Sequence, residues 1–96
     1  MPKLDRQKRI RIPSQLSDKL SWTFPKDVDL CYNEQKNLIH ICDKDSSTDE
    51  VVISSRNIDL KGRIYLPWEC IRLLKASVDD LFILFLQNGQ VFIKKA

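Results

Sequence analysis

The chain has 96 residues, of which 43% are hydrophobic and 30% charged, with a formal net charge of +3. This length provides one hydrophobic core but too little apolar surface for two independently folded halves without disulfides or metals. No stretch reaches the ~18 apolar residues of a membrane helix, and no apolar segment of the signal-peptide kind follows the basic N-terminus. We therefore expect one domain, residues 1–96, in the cytoplasm, with no membrane partner.

The cysteines and the histidine give no sign of a metal or catalytic site. Cys31, Cys42 and Cys70 are odd in number, widely spaced and not paired with histidine at metal-ligand intervals. We expect them to be reduced residues of a core or strand. His40 has no nucleophile partner suggested by spacing, and two glycines are too few for a phosphate-binding loop. We therefore expect no enzymatic activity, no metal and no cofactor.

The first predicted elements are a strand and a short helix. Arg9 to Ile12 alternates between arginine and isoleucine, which is the period of a half-buried strand with one basic face. Pro13 suits the first position of the following helix, where a missing N–H costs nothing. Leu16 and Leu20 then form a narrow buried stripe on that helix.

A connection and a hairpin follow the first helix. Ser21 to Asp27 is too aromatic for a free linker, so we expect it to pack over the edge of the core. Val28 to Tyr32 and Asn37 to Cys42 are strand candidates around a four-residue loop. Asp43 to Asp49 contains no apolar residue and is predicted to link the two halves of the chain.

The second half predicts a similar series of elements. Val51 to Ile53 is a β-branched run typical of a strand, and Gly62 marks a tight turn before the alternating strand Arg63 to Leu66. Pro67 opens a second short helix. The chain thus returns to a basic strand followed by a proline and a helix.

A second hairpin completes this half. Leu81 to Leu86 is continuously apolar, as expected of a strand covered on both faces. Asn88-Gly89 is a strong hairpin turn into a further strand, Val91 to Ile93.

The two halves are a degenerate repeat. Five identities occur in the sixteen positions from Asp5 to Leu20 at an offset of 54, whereas ordinary residue usage gives roughly one. They are Asp5/Asp59, Arg9/Arg63, Ile10/Ile64, Pro13/Pro67 and Leu20/Leu74. The hairpins align at an offset of 53. The sequence therefore predicts two repeats, about 1–45 and 50–96, that share one core.

The second repeat resembles a known family of DNA-binding domains. The segment Asp59 to Pro67, followed by a short helix and a hairpin ending at Lys95, is similar to the AbrB, MazE, MraZ and SpoVT swapped-hairpin family. Asp5 to Pro13 resembles the same unit without the turn glycine. The resemblance implies a mostly β fold with short helices, in which two tandem AbrB-like units exchange hairpins and close a pseudo-two-fold barrel.

The same resemblance implies a double-stranded DNA-binding transcriptional regulator of bacterial type. Carried over by position, the DNA contacts would come from basic residues of both repeats. In the first repeat they would be the matching arginine and the basic residues near it in the sequence. These are Lys3, Lys8, Arg9, Arg11, Arg56, Arg63 and Arg72. In the first repeat Asp18 occupies the position that corresponds to Arg72.

Other interpretations of these residues remain open. The arginines are also consistent with an ordinary solvated strand face, and the protein with an antitoxin-like or oligomerising protein-interaction module. An antitoxin would carry a disordered partner-binding tail, whereas this chain stops at Ala96 directly after its last predicted strand. Asp5 and Asp59 are expected to accept turn hydrogen bonds or to pair with arginine rather than to act as acid and base. Trp22, Trp68 and Tyr65 are aromatic residues that could stack on bases, but both tryptophans are expected in the core or in a subunit contact instead.

Overall fold

The computed structural model describes residues 1–44 and 50–96. Most of the predicted linker, Asp45 to Asp49, lies outside the described residues. In chain order the described elements are β1 (Arg9–Arg11), α1 (Ser14–Leu20), β2 (Lys26–Asn33), β3 (Leu38–Asp43), β4 (Val51–Ile58), β5 (Arg63–Tyr65), α2 (Trp68–Leu73), β6 (Phe82–Gln87) and β7 (Gln90–Lys95). In these two ranges neither helix is long and apolar enough to cross a bilayer.

The structure confirms the mostly β class, and the order of elements is similar in the two halves of the chain. β1, α1, β2 and β3 of the first repeat correspond to β5, α2, β6 and β7 of the second, and β4 precedes the second series. All strand pairs are antiparallel, with β1 and β5 in one sheet and the order β4-β2-β3-β7-β6 in the other. Through the described parts of the chain the strands thus form two separate sheets, and a closed barrel is not seen.

Both sheets pair the repeats about an internal pseudo-two-fold axis. In the small sheet Ile10 lies opposite Ile64, its counterpart 54 residues along the chain, and Arg11 lies opposite Arg63. If each residue of β1 and β5 is replaced by the residue 54 positions away in the other repeat, the same three cross-strand pairs result. In the large sheet β3 pairs with β7 in a register that is equally reciprocal at the offset of 53. The repeats therefore face each other at the centre of both sheets.

Each repeat also lends its leading segment to the other. β4, which opens the second repeat, pairs with β2 of the first from Lys26 to Tyr32. The corresponding start of the first repeat reaches the second, where Phe82 N–H donates to the Pro2 carbonyl at 2.8 Å and Leu4 N–H to the Asp80 carbonyl at 2.9 Å. This segment is reduced to one isolated bridge, as the weak strand pattern before Arg9 suggests.

One cluster of buried apolar side chains joins the two repeats. Leu4 and Ile58 are corresponding residues, as are Ile10 and Ile64, and all four are at most 1% exposed. In β1 and β5, alternation places Ile10 and Ile64 on the inner face while the neighbouring arginines point outward. Folding either half alone would expose this shared surface.

Three predicted details differ in the structure. Pro13 and Pro67 are the N-caps of their helices rather than the first helical residues, with extended ψ angles of 137° and 155°. β4 continues to Ile58, well past the predicted end, because β2 supplies a partner along its length. β6 is a half-buried edge strand, since it occupies the end of the sheet and Leu81 before it is 41% exposed.

Candidate nucleic-acid interface

The β1–β5 sheet is a two-stranded ribbon with an apolar back and a basic front. Ile10 and Ile64 are buried on the back. Because side chains alternate along a strand, the front carries the flanking residues of both strands. We call this front the arginine ribbon; it consists of Arg9, Arg11, Arg63 and Tyr65.

The cross-strand pairs of the arginine ribbon follow from the register. Arg11 lies directly opposite Arg63, and Arg9 lies opposite Tyr65 with its guanidinium carbon 5.7 Å from the ring centroid. Opposed like charges destabilise a strand pair unless a counter-charge binds between them. Asp59 supplies that counter-charge to Arg63, with its Oδ2 2.8 Å from Arg63 Nε, whereas Arg11 has no acidic partner among residues 1–44 and 50–96.

Hydrogen bonds that flank the arginine ribbon bring its side chains close together. Ile12 N–H donates to the Gly62 carbonyl at 2.7 Å, and Leu66 N–H donates to the Lys8 carbonyl at 2.8 Å. Since bonded and non-bonded pairs alternate in an antiparallel ladder, both arginine-ribbon pairs occupy non-hydrogen-bonded positions, where Cα atoms are about 4.5 Å apart. The front of the ribbon consequently brings three arginine side chains close together, two of which form ion pairs with aspartates.

The turn before each strand fixes one arginine through an aspartate. Asp5 Oδ1 accepts the N–H groups of Gln7 at 2.9 Å and Arg9 at 2.8 Å, and its Oδ2 accepts Arg9 Nε–H at 2.9 Å. Asp59 repeats these three bonds with Lys61 and Arg63 at 2.9, 2.9 and 2.8 Å. The prediction that these aspartates serve the turn and pair with arginine is confirmed.

The hydrogen bonds lower the pKa of both carboxyls. Burial raises the pKa of Asp5, but the main-chain and side-chain hydrogen bonds from Arg9 outweigh it, so the pKa lies below its ordinary value. For Asp59 the main-chain hydrogen bond from Arg63 is the largest cause and lowers the pKa. Both groups are ionised at neutral pH and pair with one arginine each. Arg11 and Lys8 are exposed, with no acidic partner found through residues 1–44 and 50–96.

The two turns differ at the residue with left-handed backbone conformation. Gly62 has φ 77°, and a Cβ there would lie 3.0 Å from a ring carbon of Phe24. Lys8 holds the corresponding place with φ 66°. The first turn thus accepts a strained non-glycine residue and gains an exposed positive charge beside the arginine ribbon.

Lys3 and Arg56, two other predicted DNA contacts, lie on different elements. Lys3 pairs with Leu81 in the isolated bridge, and its Nζ lies 3.6 Å from Asp79 Oδ1. Arg56 is on β4, where its Nη1 donates to Ser54 Oγ at 2.6 Å and to the Ser55 carbonyl at 3.0 Å. Both residues are basic groups outside the ribbon, each with a partner within the protein.

Arg72, the last predicted contact, lies on α2 over an exposed tryptophan. Its guanidinium carbon is 4.8 Å from the Trp68 ring centroid, and Trp68 is 67% exposed. Trp68 is therefore not a core residue, and the other expectation for it, a subunit contact, stays a prediction. Trp22 is partly buried against the core, as expected.

Tyr65 was considered only as a residue that could stack on bases and was not among the predicted DNA contacts, although the repeat carried a signal for it. Tyr65 is 51% exposed and shares the front of the ribbon with Arg9. In the repeat it corresponds to Arg11, so the alternation that selected Arg11 also selects Tyr65.

Comparison with protein-family models and with curated proteins finds no match to this sequence.

Proposed function

We propose that the protein binds double-stranded DNA through the arginine ribbon and acts as a transcriptional regulator of AbrB-like type, without enzymatic activity. The observation that carries this proposal is the Arg11–Arg63 pair, held face to face on a narrow ribbon whose back is fully buried. Such a pair is stabilised by phosphate or by the acceptor groups of bases.

The shape of the ribbon favours a duplex over other anions. The major groove of DNA admits a two-stranded β-ribbon, and arginine makes bidentate contacts with guanine O6 and N7 or with phosphate oxygens. The Asp5–Arg9 and Asp59–Arg63 bonds hold two guanidinium groups in symmetry-related positions. The pseudo-two-fold arrangement suits a site whose two half-sites are related by the symmetry of the duplex.

The finer fold proposal is that two AbrB-like units exchange segments within one chain. Support comes from the reciprocal registers of β1 with β5 and β3 with β7, and from the pairing of β4 with the opposite repeat. This relation is what a swapped-hairpin fold requires, whether or not the sheets close into a barrel.

Salt-dependent binding to random-sequence duplex DNA tests the proposed function. Contacts with phosphates release counterions, so the logarithm of the affinity should fall linearly with the logarithm of salt concentration, with a slope of about −0.9 per phosphate contacted. Selection from a random duplex pool then identifies any preferred site. Absence of duplex binding at low salt would contradict the proposal and favour the protein-interaction alternative.

A further inference from the structure

The β2–β3 hairpin brings two cysteines into contact on one face of the large sheet. Cys31 on β2 lies opposite His40, and Cys42 is two residues beyond His40 on β3, so the cysteines are diagonal neighbours on one face. Their Sγ atoms are 3.2 Å apart. The two cysteines are eleven positions apart in the sequence, and the register of the hairpin brings them together.

The two thiols have different environments. Cys31 is completely buried, whereas Cys42 is partly exposed and its Sγ donates to the Asp29 carbonyl at 3.6 Å. Burial, followed by the hydrogen bond with Cys42, raises the pKa of Cys31 to about 12. Cys42 is therefore the sulfur that a reagent in solution reaches first, and Cys31 is the protonated thiol behind it.

The geometry is close to that of a disulfide. An S–S bond is about 2.05 Å long, so the sulfurs need to approach by only about 1 Å from their present separation. The strands that carry them are already hydrogen-bonded neighbours. Diagonal neighbours in an antiparallel pair lie about 7–8 Å apart, slightly beyond the usual Cα separation in a disulfide, so closing the bond also draws the two strands together locally.

We propose that Cys31 and Cys42 form a reversible redox site that reacts with a small disulfide of the oxidised-glutathione class and cross-links β2 to β3. Cys42, as its thiolate, attacks one sulfur of the reagent, forms a mixed disulfide and releases one glutathione thiolate, which takes up the proton that Cys42 lost. Cys31 then gives up its proton and attacks Cys42 Sγ, and the second glutathione leaves as a thiol. Two protein thiols are oxidised and one disulfide is reduced to two thiols.

The cross-link would strengthen the centre of the large sheet. β2 pairs with β4 on one side, and β3 pairs with β7 of the other repeat on the other side. A cross-link between β2 and β3 would therefore join the two central strands of the run β4-β2-β3-β7. Closing a loop of this length removes conformational freedom from the unfolded chain, which raises Tm by roughly 10 °C. The site is independent of the proposed DNA binding, since neither cysteine is on β1 or β5.

Equilibration of the full chain with oxidised and with reduced glutathione tests the proposal. In the oxidised sample we expect Cys70 to be the one remaining free thiol. The mass should be lower by about 2 Da than in the reduced sample. A peptide map should show Cys31 joined to Cys42. Tm should rise and return to its original value with excess dithiol. Cys70→Ser is the matched control, which should keep the mass change and the Tm shift. Cys31→Ser and Cys42→Ser should lose both.

Three results would overturn the inference, and each can be measured on the protein with its natural sequence. The first is retention of all three thiols at equilibrium with oxidised glutathione. The second is a stable glutathione adduct on Cys42 without the internal bond, and the third is a cross-link that raises Tm by less than about 2 °C.

Discussion

The two repeats build the same turn with different residues at its left-handed position. Asp5 and Asp59 make equivalent hydrogen bonds, yet Lys8 stands in the first repeat where Gly62 stands in the second. The aspartate bonds therefore suffice to hold the turn, and glycine is needed only where Phe24 leaves no room for a side chain. The first repeat accepts backbone strain and places an extra cation beside the arginine ribbon.

The ribbon strands match at Arg9 and Arg63, whereas the helices carry opposite charges at corresponding positions. Arg72 on α2 covers Trp68, while the corresponding position of α1 is Asp18. The central ribbon thus has near two-fold symmetry and the flanking helices do not. If DNA spans both repeats, we expect the second to contribute more of the affinity.

The largest expected effect comes from removing the turn aspartates. Asp5→Ala and Asp59→Ala each delete three hydrogen-bond acceptor contacts, including one to a charged guanidinium, so Tm should fall by roughly 10 °C in either variant. Thermal unfolding followed by circular dichroism measures both. The comparison predicts similar losses; a loss confined to one variant would show that the turns are not equivalent.

The same carboxyls predict acid sensitivity. Their folded-state pKa values lie below the ordinary value of 3.8, so their contribution to stability is present above that pH and is lost as pH falls through the folded-state values. Chemical denaturation from pH 6 down to acidic pH should show declining stability for the natural protein. The Asp5→Ala, Asp59→Ala double variant should show a flatter decline, and an identical pH dependence would refute this assignment.

Exchanging the residues at the left-handed position should have opposite effects in the two repeats. Gly62→Lys should destabilise by about 1–2 kcal/mol from backbone conformation alone, and crowding against Phe24 adds to this. Lys8→Gly should stabilise by at most about 1 kcal/mol, because the relieved strain is partly offset by the flexibility of glycine in the unfolded chain. Denaturant unfolding measures both. Equal and same-signed changes would contradict the account of the two turns.

The smallest effect on stability is expected from substitutions on the two helices, which should change duplex binding instead. Asp18→Arg gives α1 the cation that α2 has, with a Tm within a few degrees of the natural protein since Asp18 is exposed. Duplex affinity should rise and its salt slope should steepen by at most about one unit. Arg72→Asp should do the reverse. Unchanged affinity in both variants would remove the helices from the interface.

The sequence predicted those features of the fold that depend on local patterns. Alternation identified β1 and β5, and Asn88-Gly89 forms the expected turn with φ values of 54° and 76°. The exchange of β4 onto β2 depends on pairing between distant segments, which no local pattern encodes. The same limit hid the position of β6 at the edge of the large sheet.

The candidate site was predictable to a similar extent. Arg9, Arg11 and Arg63 were selected from the sequence, and they share one front because their strands pair with each other, which only the structure shows. Lys3 and Arg56 were selected by charge and position, and the structure adds partners that sequence spacing does not reveal. The contact between Cys31 and Cys42 could not be predicted without knowing the register of the hairpin.

The central claim is tested most directly by the salt dependence of duplex binding in Arg11→Gln. Arg11 is exposed and faces Arg63, so its removal should cost affinity with little change in Tm. Lys94→Gln on β7 is the control, because it changes the net charge equally from the other sheet. The account predicts a slope flattened by about 0.9 for Arg11→Gln and an unchanged slope for Lys94→Gln. Equal slopes for Arg11→Gln, Lys94→Gln and the natural protein would contradict DNA binding through the arginine ribbon.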